Sequence, residues 1–228
     1  MTEEKDYIGH RQRLKEHFML GQGKDMADYE FLELLLTYAI PRKDTKPIAK
    51  ALIKEFGSFA GVVSADKERL MGFSGIKESA ITVLAVVREA ALRMAWQKLS
   101  SGDKPVIADW DSMLDYCRMK MAHKKREEIL MIMLDGGMRV IAEEVNQRGT
   151  VDCVVVHPAE VARTALKYCA QKVIIVHNHP SGEIKPSKED LFMTNAIKDT
   201  LKGVDVILFD HIVVGENGIF SFKDHGMI

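Results

Sequence analysis

The run His177-Asn178-His179-Pro180-Ser181-Gly182-Glu183-Ile184-Lys185-Pro186-Ser187-Lys188-Glu189-Asp190 constrains this chain more than any other part. It places two imidazoles, a hydroxyl and a carboxylate at spacings that can close on one metal ion. The residues before it, Lys172-Val173-Ile174-Ile175-Val176, are β-branched and apolar and read as a buried strand. A strand turns successive side chains to opposite faces, which puts His177 and His179 on one side and Asn178 on the other. Gly182 and Pro186 then mark a loop, and Ser187-Lys188-Glu189-Asp190 opens a helix with Asp190 in its first turn.

Two histidines and one carboxylate are the donor set of a catalytic zinc, which typically takes three protein ligands and leaves a fourth place for water. Zinc lowers the pKa of that water to about 7, giving a hydroxide nucleophile at neutral pH. Manganese and iron suit the same donors, so the spacing specifies one divalent ion per chain more firmly than its identity. Each fragment alone has an ordinary reading: His-x-His occurs on many strands, and Ser187-x-x-Asp190 is also a helix-capping box. Their succession is what carries the metal reading.

Composition narrows the classes. With 46% hydrophobic and 29% charged residues over 228 positions, the chain is of the globular type, with room for one large or two modest domains. A net charge of −1 gives no basic field and predicts no strongly salt-dependent affinity for nucleic acid. No apolar run approaches the ~20 residues that span a bilayer, so no membrane association is expected. The start, Met1-Thr2-Glu3-Glu4-Lys5-Asp6, is too acidic for a signal or transit peptide. Cys117, Cys153 and Cys169 are odd in number and widely spaced, which reads as buried thiols in a reducing cytoplasm.

A break is expected at Leu99-Ser100-Ser101-Gly102-Asp103-Lys104-Pro105, dividing an all-α domain over 1–100 from an α/β domain over 101–228. Before it, helical periodicity runs from Tyr29 to Ile40, stopping at Pro41, and through Ile48, Leu52, Ile53 and Phe56 up to Gly57. After it, 128–134 and 151–156 read as strands and 159–170 as a helix. The histidine-bearing strand and a helix over 187–202 follow, and two short strands meet in a hairpin near Gly215-Glu216-Asn217-Gly218. Strands interleaved with helices give α/β. The thirteen methionines are scattered through apolar positions and read as gap fillers of the core.

His-x-His, seven residues, Ser, two residues, Asp is the pattern of the JAMM (MPN+) metalloprotease site, and Val-His-Asn-His-Pro-Ser-Gly with Pro-Ser-x-x-Asp resembles its bacterial RadC-like branch. Further landmarks follow in order: Gly9-His10-Arg11, Tyr38 to Pro47, Gly149-Thr150, Val156-His157-Pro158 and Asp210 to Gly215. The resemblance implies a JAMM/MPN-type sheet flanked by helices, one zinc ion on His177, His179 and Asp190, and hydrolysis of a peptide or isopeptide amide in a peptide or protein substrate. It also implies a glutamate base at the entry to an earlier strand. Glu127 and Glu128 are adjacent candidates, and counting back from Leu134-Asp135 selects Glu127. Ser187 would then donate a hydrogen bond to the oxygen that gains negative charge. His157 and His211 are expected beside the cleft as partners of ligands, and His10, His17, His123 and His225 on the surface.

A second reading, of another class, is an accessory protein of DNA repair or recombination. Gly72-Phe73-Ser74-Gly75-Ile76-Lys77-Glu78-Ser79-Ala80 looks like a helix-hairpin-helix, a motif that binds DNA backbone weakly and without sequence preference. Lys77 stands where the pattern has a second glycine. Residues 1–100 carry sixteen Lys and Arg against fourteen Asp and Glu, far from the basic patch of DNA binders. A nuclease of the ββα-metal type is set aside, because its His, Asn and His come from separate points of a hairpin and helix.

Overall fold

The structure, a computed structural model, describes residues 3–100, 106–146, 156–215 and 218–228. It divides into two compact units, 1–91 and 92–228. In the first, the regular elements among the described residues are helices: α1 (Glu3–Gly21), α2 (Asp28–Ala39), α3 (Lys46–Phe56), α4 (Phe59–Ser64), α5 (Lys67–Met71) and the start of α6 (Glu78–Ser100). Leu32, Leu36, Leu52, Val62, Leu70 and Leu84 form its core, and burying such leucines contributes about 1.5–3 kcal/mol each. α2 stops before Pro41, and α3 stops at Gly57, whose φ of +80° suits glycine.

Leu70 and Met71 belong to α5, so the turn lies at 72–77. Gly75 is required there by a φ of +93°; a Cβ would also stand 2.8 Å from Ile48 Cδ1, a contact that the isoleucine can relieve by turning. Lys77 needs no such freedom. Its carbonyl accepts the N–H of Ala80 and Ile81 at the start of α6, a position open to any L-residue. Two of the sequence landmarks meet in this unit: the Arg11 guanidinium donates to the carbonyls of Ile40 (2.8 Å), Pro41 and Lys43. His10 is no free surface residue, since its Nε2 lies 2.7 Å from Oε1 of the buried Glu33.

The second unit begins within α6, earlier than the expected break, because Leu92, Ala95, Trp96 and Leu99 pack into its core. Its sheet combines β1 (Ile129–Leu134), β2 (Val140–Asn146), β3 (Lys172–Asn178), β4 (Ile207–Gly215) and β5 (Gly218–Ser221) in the order β2-β1-β3-β4-β5. β3 and β4 run parallel, and the other pairs are antiparallel. The unbroken apolar run of β1 needs cover on both faces, and both are covered. Ile129, Met131, Val173 and Ile175 face α8 (Pro158–Lys167) and α9 (Lys188–Lys202), whereas Leu130, Ile132, Ile174 and Val176 face α7 (Trp110–Met121) and the end of α6.

Some elements depart from expectation. β2 was not anticipated: Val140-Ile141-Ala142-Glu143-Glu144-Val145 sets two acids side by side, but at a sheet edge Glu143 is satisfied by Lys120 and the Tyr116 hydroxyl (2.6 Å). The strand expected at 151–156 lies, except for Val156, outside the described residues, as does Cys153. β4 is nine residues long and not short. Burial pushes the Cys117 thiol up to about 12, so it is inert. Cys169 corrects the buried-thiol reading: it is exposed, with φ +52°, in the turn between α8 and β3. Met113, Met121, Met131 and Met133 fill the core, but Met19, Met71 and Met94 are exposed.

Asn178 ties the end of β3 to the segment before β1. Its amide donates to the carbonyls of Lys124 (3.1 Å) and Arg126 (3.0 Å) and accepts from Glu128 N–H (2.9 Å). Asn178→Ala leaves these part-buried groups without their side-chain partner and is expected to lower unfolding free energy by about 1–3 kcal/mol. Urea denaturation measures this, and an unchanged midpoint would show that the segment is held by other contacts.

Candidate metal centre

β3 delivers His177 on the face that meets α9, and the chain then leaves the sheet at His179. His179 N–H still donates to the Val214 carbonyl (2.9 Å), extending the parallel ladder by one rung. The loop beyond it is pressed onto β4: a Cβ on Gly215 would lie 2.4 Å from the Gly182 carbonyl oxygen, and Gly182 itself has φ +83°. The close approach explains Gly215, and the positive φ explains Gly182. α9 then returns over the strand end, with Ser187 as its N-cap and Asp190 in its first turn.

The three expected ligands converge. His177 Nε2 lies 2.9 Å from His179 Nε2 and 3.1 Å from Asp190 Oδ1, while His179 Nε2 is 3.3 Å from Asp190 Oδ2. Donors bound tetrahedrally at 2.0–2.1 Å stand about 3.3 Å apart, so these edges describe a slightly contracted cage for one ion. His177 and Asp190 are buried and His179 is half-buried.

Hydrogen bonds behind the ligands fix which nitrogen carries a proton. The Asp190 carbonyl can only accept, so the Thr194 hydroxyl donates to it (2.6 Å) and accepts in turn from His211 Nδ1–H (2.6 Å). Burial holds His211 well below the usual imidazole range, with the neighbouring His177 adding to the shift, so it is neutral and offers Nε2 as an acceptor. His177 Nδ1–H therefore donates to His211 (2.8 Å), and in the neutral ring the Nε2 lone pair faces the other ligand candidates. His179 likewise donates Nδ1–H to the Glu183 carbonyl (2.9 Å), which leaves Nε2 to hold either a proton or a metal ion. Two lone pairs and a carboxylate facing one another need a positive charge among them, a metal ion or a proton.

Electrostatics agree. The Asp190 hydrogen bond is the chief reason that the His179 pKa is raised. Burial alone would raise the Asp190 carboxyl, but His177, His179 and Ser187 hold it far below the usual carboxylate range. Ser187 and Asp190 form a capping box. Ser187 N–H and Oγ–H both donate to Asp190 Oδ2 (2.7 Å each), and Asp190 N–H donates to Ser187 Oγ (3.0 Å).

A cleft of about 960 Å³ opens on the ligands and is also lined by Glu127, Ser187 and His157. Glu127 is close enough to His179 for its charge to help raise the His179 pKa. Glu128 turns away, paired with Lys124 at 3.1 Å. Of the two histidines expected to line the cleft or brace a ligand, His157 lines it, and His211, fully buried, braces His177 from behind. Thr194 and Asn178 were missed. Thr194 stands four residues beyond Asp190, on the same helix face, which was the available signal. Asn178 was read as the residue pointing away from the metal, without a task of its own.

A mixed sheet flanked by helices, with two histidines from a strand end and an aspartate from the following helix, is consistent with a JAB/MPN-type domain. Residues 107–227 match the RadC-like JAB domain. The chain is 42% identical over 219 residues to a UPF0758 protein of Ruegeria pomeroyi, covering 96% of this chain and 97% of that protein. It is 40% identical over 215 residues to a UPF0758 protein of Rhodobacter capsulatus, covering 94% and 100%. The chain belongs to the RadC-like JAB family.

The raised His179 pKa gives binding a pH dependence with a defined sign. A metal must displace a proton that His179 keeps to higher pH than an ordinary imidazole. Affinity for Zn²⁺ is expected to fall as pH drops from about 8 to about 6, with proton release on binding. Calorimetry in buffers of different ionisation enthalpy measures both. His179→Ala is expected to lose the bound ion, and full metal content in that variant would remove His179 from the ligand set.

Proposed function

We propose that this protein is a zinc-dependent peptidase or isopeptidase, with His177, His179 and Asp190 holding one zinc ion. The observation that carries the reading is the convergence of two imidazole nitrogens and a carboxylate at the head of a cleft that also contains Glu127. Zinc at these ligands supplies Lewis acidity and a hydroxide nucleophile at neutral pH. Glu127 takes the proton from the attacking water and delivers it to the nitrogen of the leaving amine, so that the amide C–N bond breaks as the new C–O bond forms. Ser187 keeps its N–H on Asp190 and turns its one hydroxyl proton from Asp190 Oδ2 to the carbonyl oxygen as negative charge grows there. His211 and Thr194 hold the His177 proton on Nδ1, so that Nε2 is the nitrogen turned to the ligand face. Cys169, exposed and unpaired, suits a reducing cytoplasm.

Glu127 stands outside the ligand set, so the base can be removed without removing the ion. Glu127→Gln is expected to keep full metal content and lose hydrolysis by ~10² or more, whereas Glu128→Gln stays near wild type. The measurement is elemental analysis paired with a peptide-cleavage screen on the same samples. An active Glu127→Gln beside an inactive Glu128→Gln would exchange the roles of the two residues.

A further inference from the structure

The cleft does not end at the ligands. Beyond them it runs between the start of α8 and the outer face of α9, and this extension is walled by Val156, Pro158, Phe192, Met193 and Ala196. Phe192 and Ala196 are four residues apart and so share a helix face; Ala196 lies six residues beyond Asp190, or about 9 Å along the axis. Phe192 is 78% exposed, a large aromatic surface that the core does not use. An apolar wall joined to a polar reaction centre is the usual form of a pocket that selects a side chain. At about 960 Å³, the cleft is near the top of the range for ligand sites and has room for more than the scissile group.

From this we infer that the α8–α9 end of the cleft is a specificity pocket that takes a bulky aliphatic or aromatic side chain next to the scissile amide. The substrate class is therefore a peptide segment with a leucine- or phenylalanine-like residue at the cleavage site. The inference rests on the hydrolase reading. Of the charged residues of the lining, Glu183, Lys185, Lys188 and Glu189 belong to the loop and first turn of α9; a sugar or nucleotide seated at the α8–α9 end would instead lie against Phe192, Met193 and Pro158, at a cost in desolvation. His157, on the same wall, offers a polar group to the peptide backbone while the side chain fills the apolar space.

The test separates the pocket from the chemistry by using chelating probes that need no turnover. Glycyl-, leucyl- and phenylalanyl-hydroxamates are titrated into the full-length zinc-loaded protein, and affinity is read by calorimetry. The leucyl and phenylalanyl probes are expected to bind about 10- to 100-fold tighter than the glycyl probe. Phe192→Ala should shrink that ratio several-fold while metal content stays full, since an exposed side chain is not needed for folding. Ala196→Trp, which fills the pocket without removing its aromatic wall, should bring the ratio close to one. Equal binding of all three probes by wild type would overturn the specificity pocket and leave the metal site standing. Failure of every probe, in protein that holds no zinc, would overturn the hydrolase reading and the pocket with it.

Discussion

The parallel pairing of β3 with β4 is the constraint on which the site depends. Parallel neighbours need a crossover, and here the crossover is the loop after His179 followed by α9. That path returns the first turn of α9 over the carboxyl end of β3, where open α/β sheets place their ligands. One connection thus supplies all three metal-ligand candidates, two from the strand end and one from the helix start. The same pairing sets Ile175 opposite His211, so that His211 comes up behind His177. It also lays the Gly182 carbonyl against Gly215, where any side chain would push the loop off the sheet.

Asp190 has to be held before it can hold anything. A buried carboxylate is costly unless it is hydrogen-bonded or paired, and this one accepts two hydrogen bonds from Ser187 at the N-terminus of α9, where the helix dipole favours negative charge. The capping box and the metal reading of Ser187-x-x-Asp190 are therefore the same structure. The hydrogen bonds that start the helix orient the carboxylate, and the backbone carbonyl of Asp190 begins the chain through Thr194 and His211 that sets the His177 tautomer. Metal binding and the first turn of α9 are coupled, since whatever frays that turn releases a ligand and the proton arrangement behind it.

Much of this was legible because the residues that matter are close in sequence and their periodicities are strong. The apolar run before His177, the loop glycine and proline, and the Ser-Asp spacing gave β3, the loop and α9 together with the candidate ligands. Less legible was whatever depends on distant partners. β2 carries two adjacent acids, which speak against a strand until Lys120 and Tyr116 arrive from α7. The unit boundary falls inside α6 because a helix can continue while its packing partners change, and periodicity reports only continuity. Cys169 looked like a core thiol by residue type, yet its place depends on the left-handed turn that ends α8. The apolar extension of the cleft pairs residues near 157 with residues near 193, a juxtaposition that no local pattern encodes.

The middle residue of His177-Asn178-His179 shows how one alternating strand governs both halves of the site. His177 and His179 turn to the metal face, and Asn178, turned away, clamps the carbonyls of Lys124 and Arg126 and the N–H of Glu128. That clamp fixes the backbone on either side of Glu127. With Glu128 drawn off by Lys124, the Glu127 side chain is left on the cleft wall beside His179. The asparagine takes no part in the chemistry proposed for its neighbours, unlike the asparagine of a ββα-metal nuclease, whose letters it shares. Its role is geometric: the placement of the proposed base relative to the candidate ligands is set by hydrogen bonds from the residue between the two histidines.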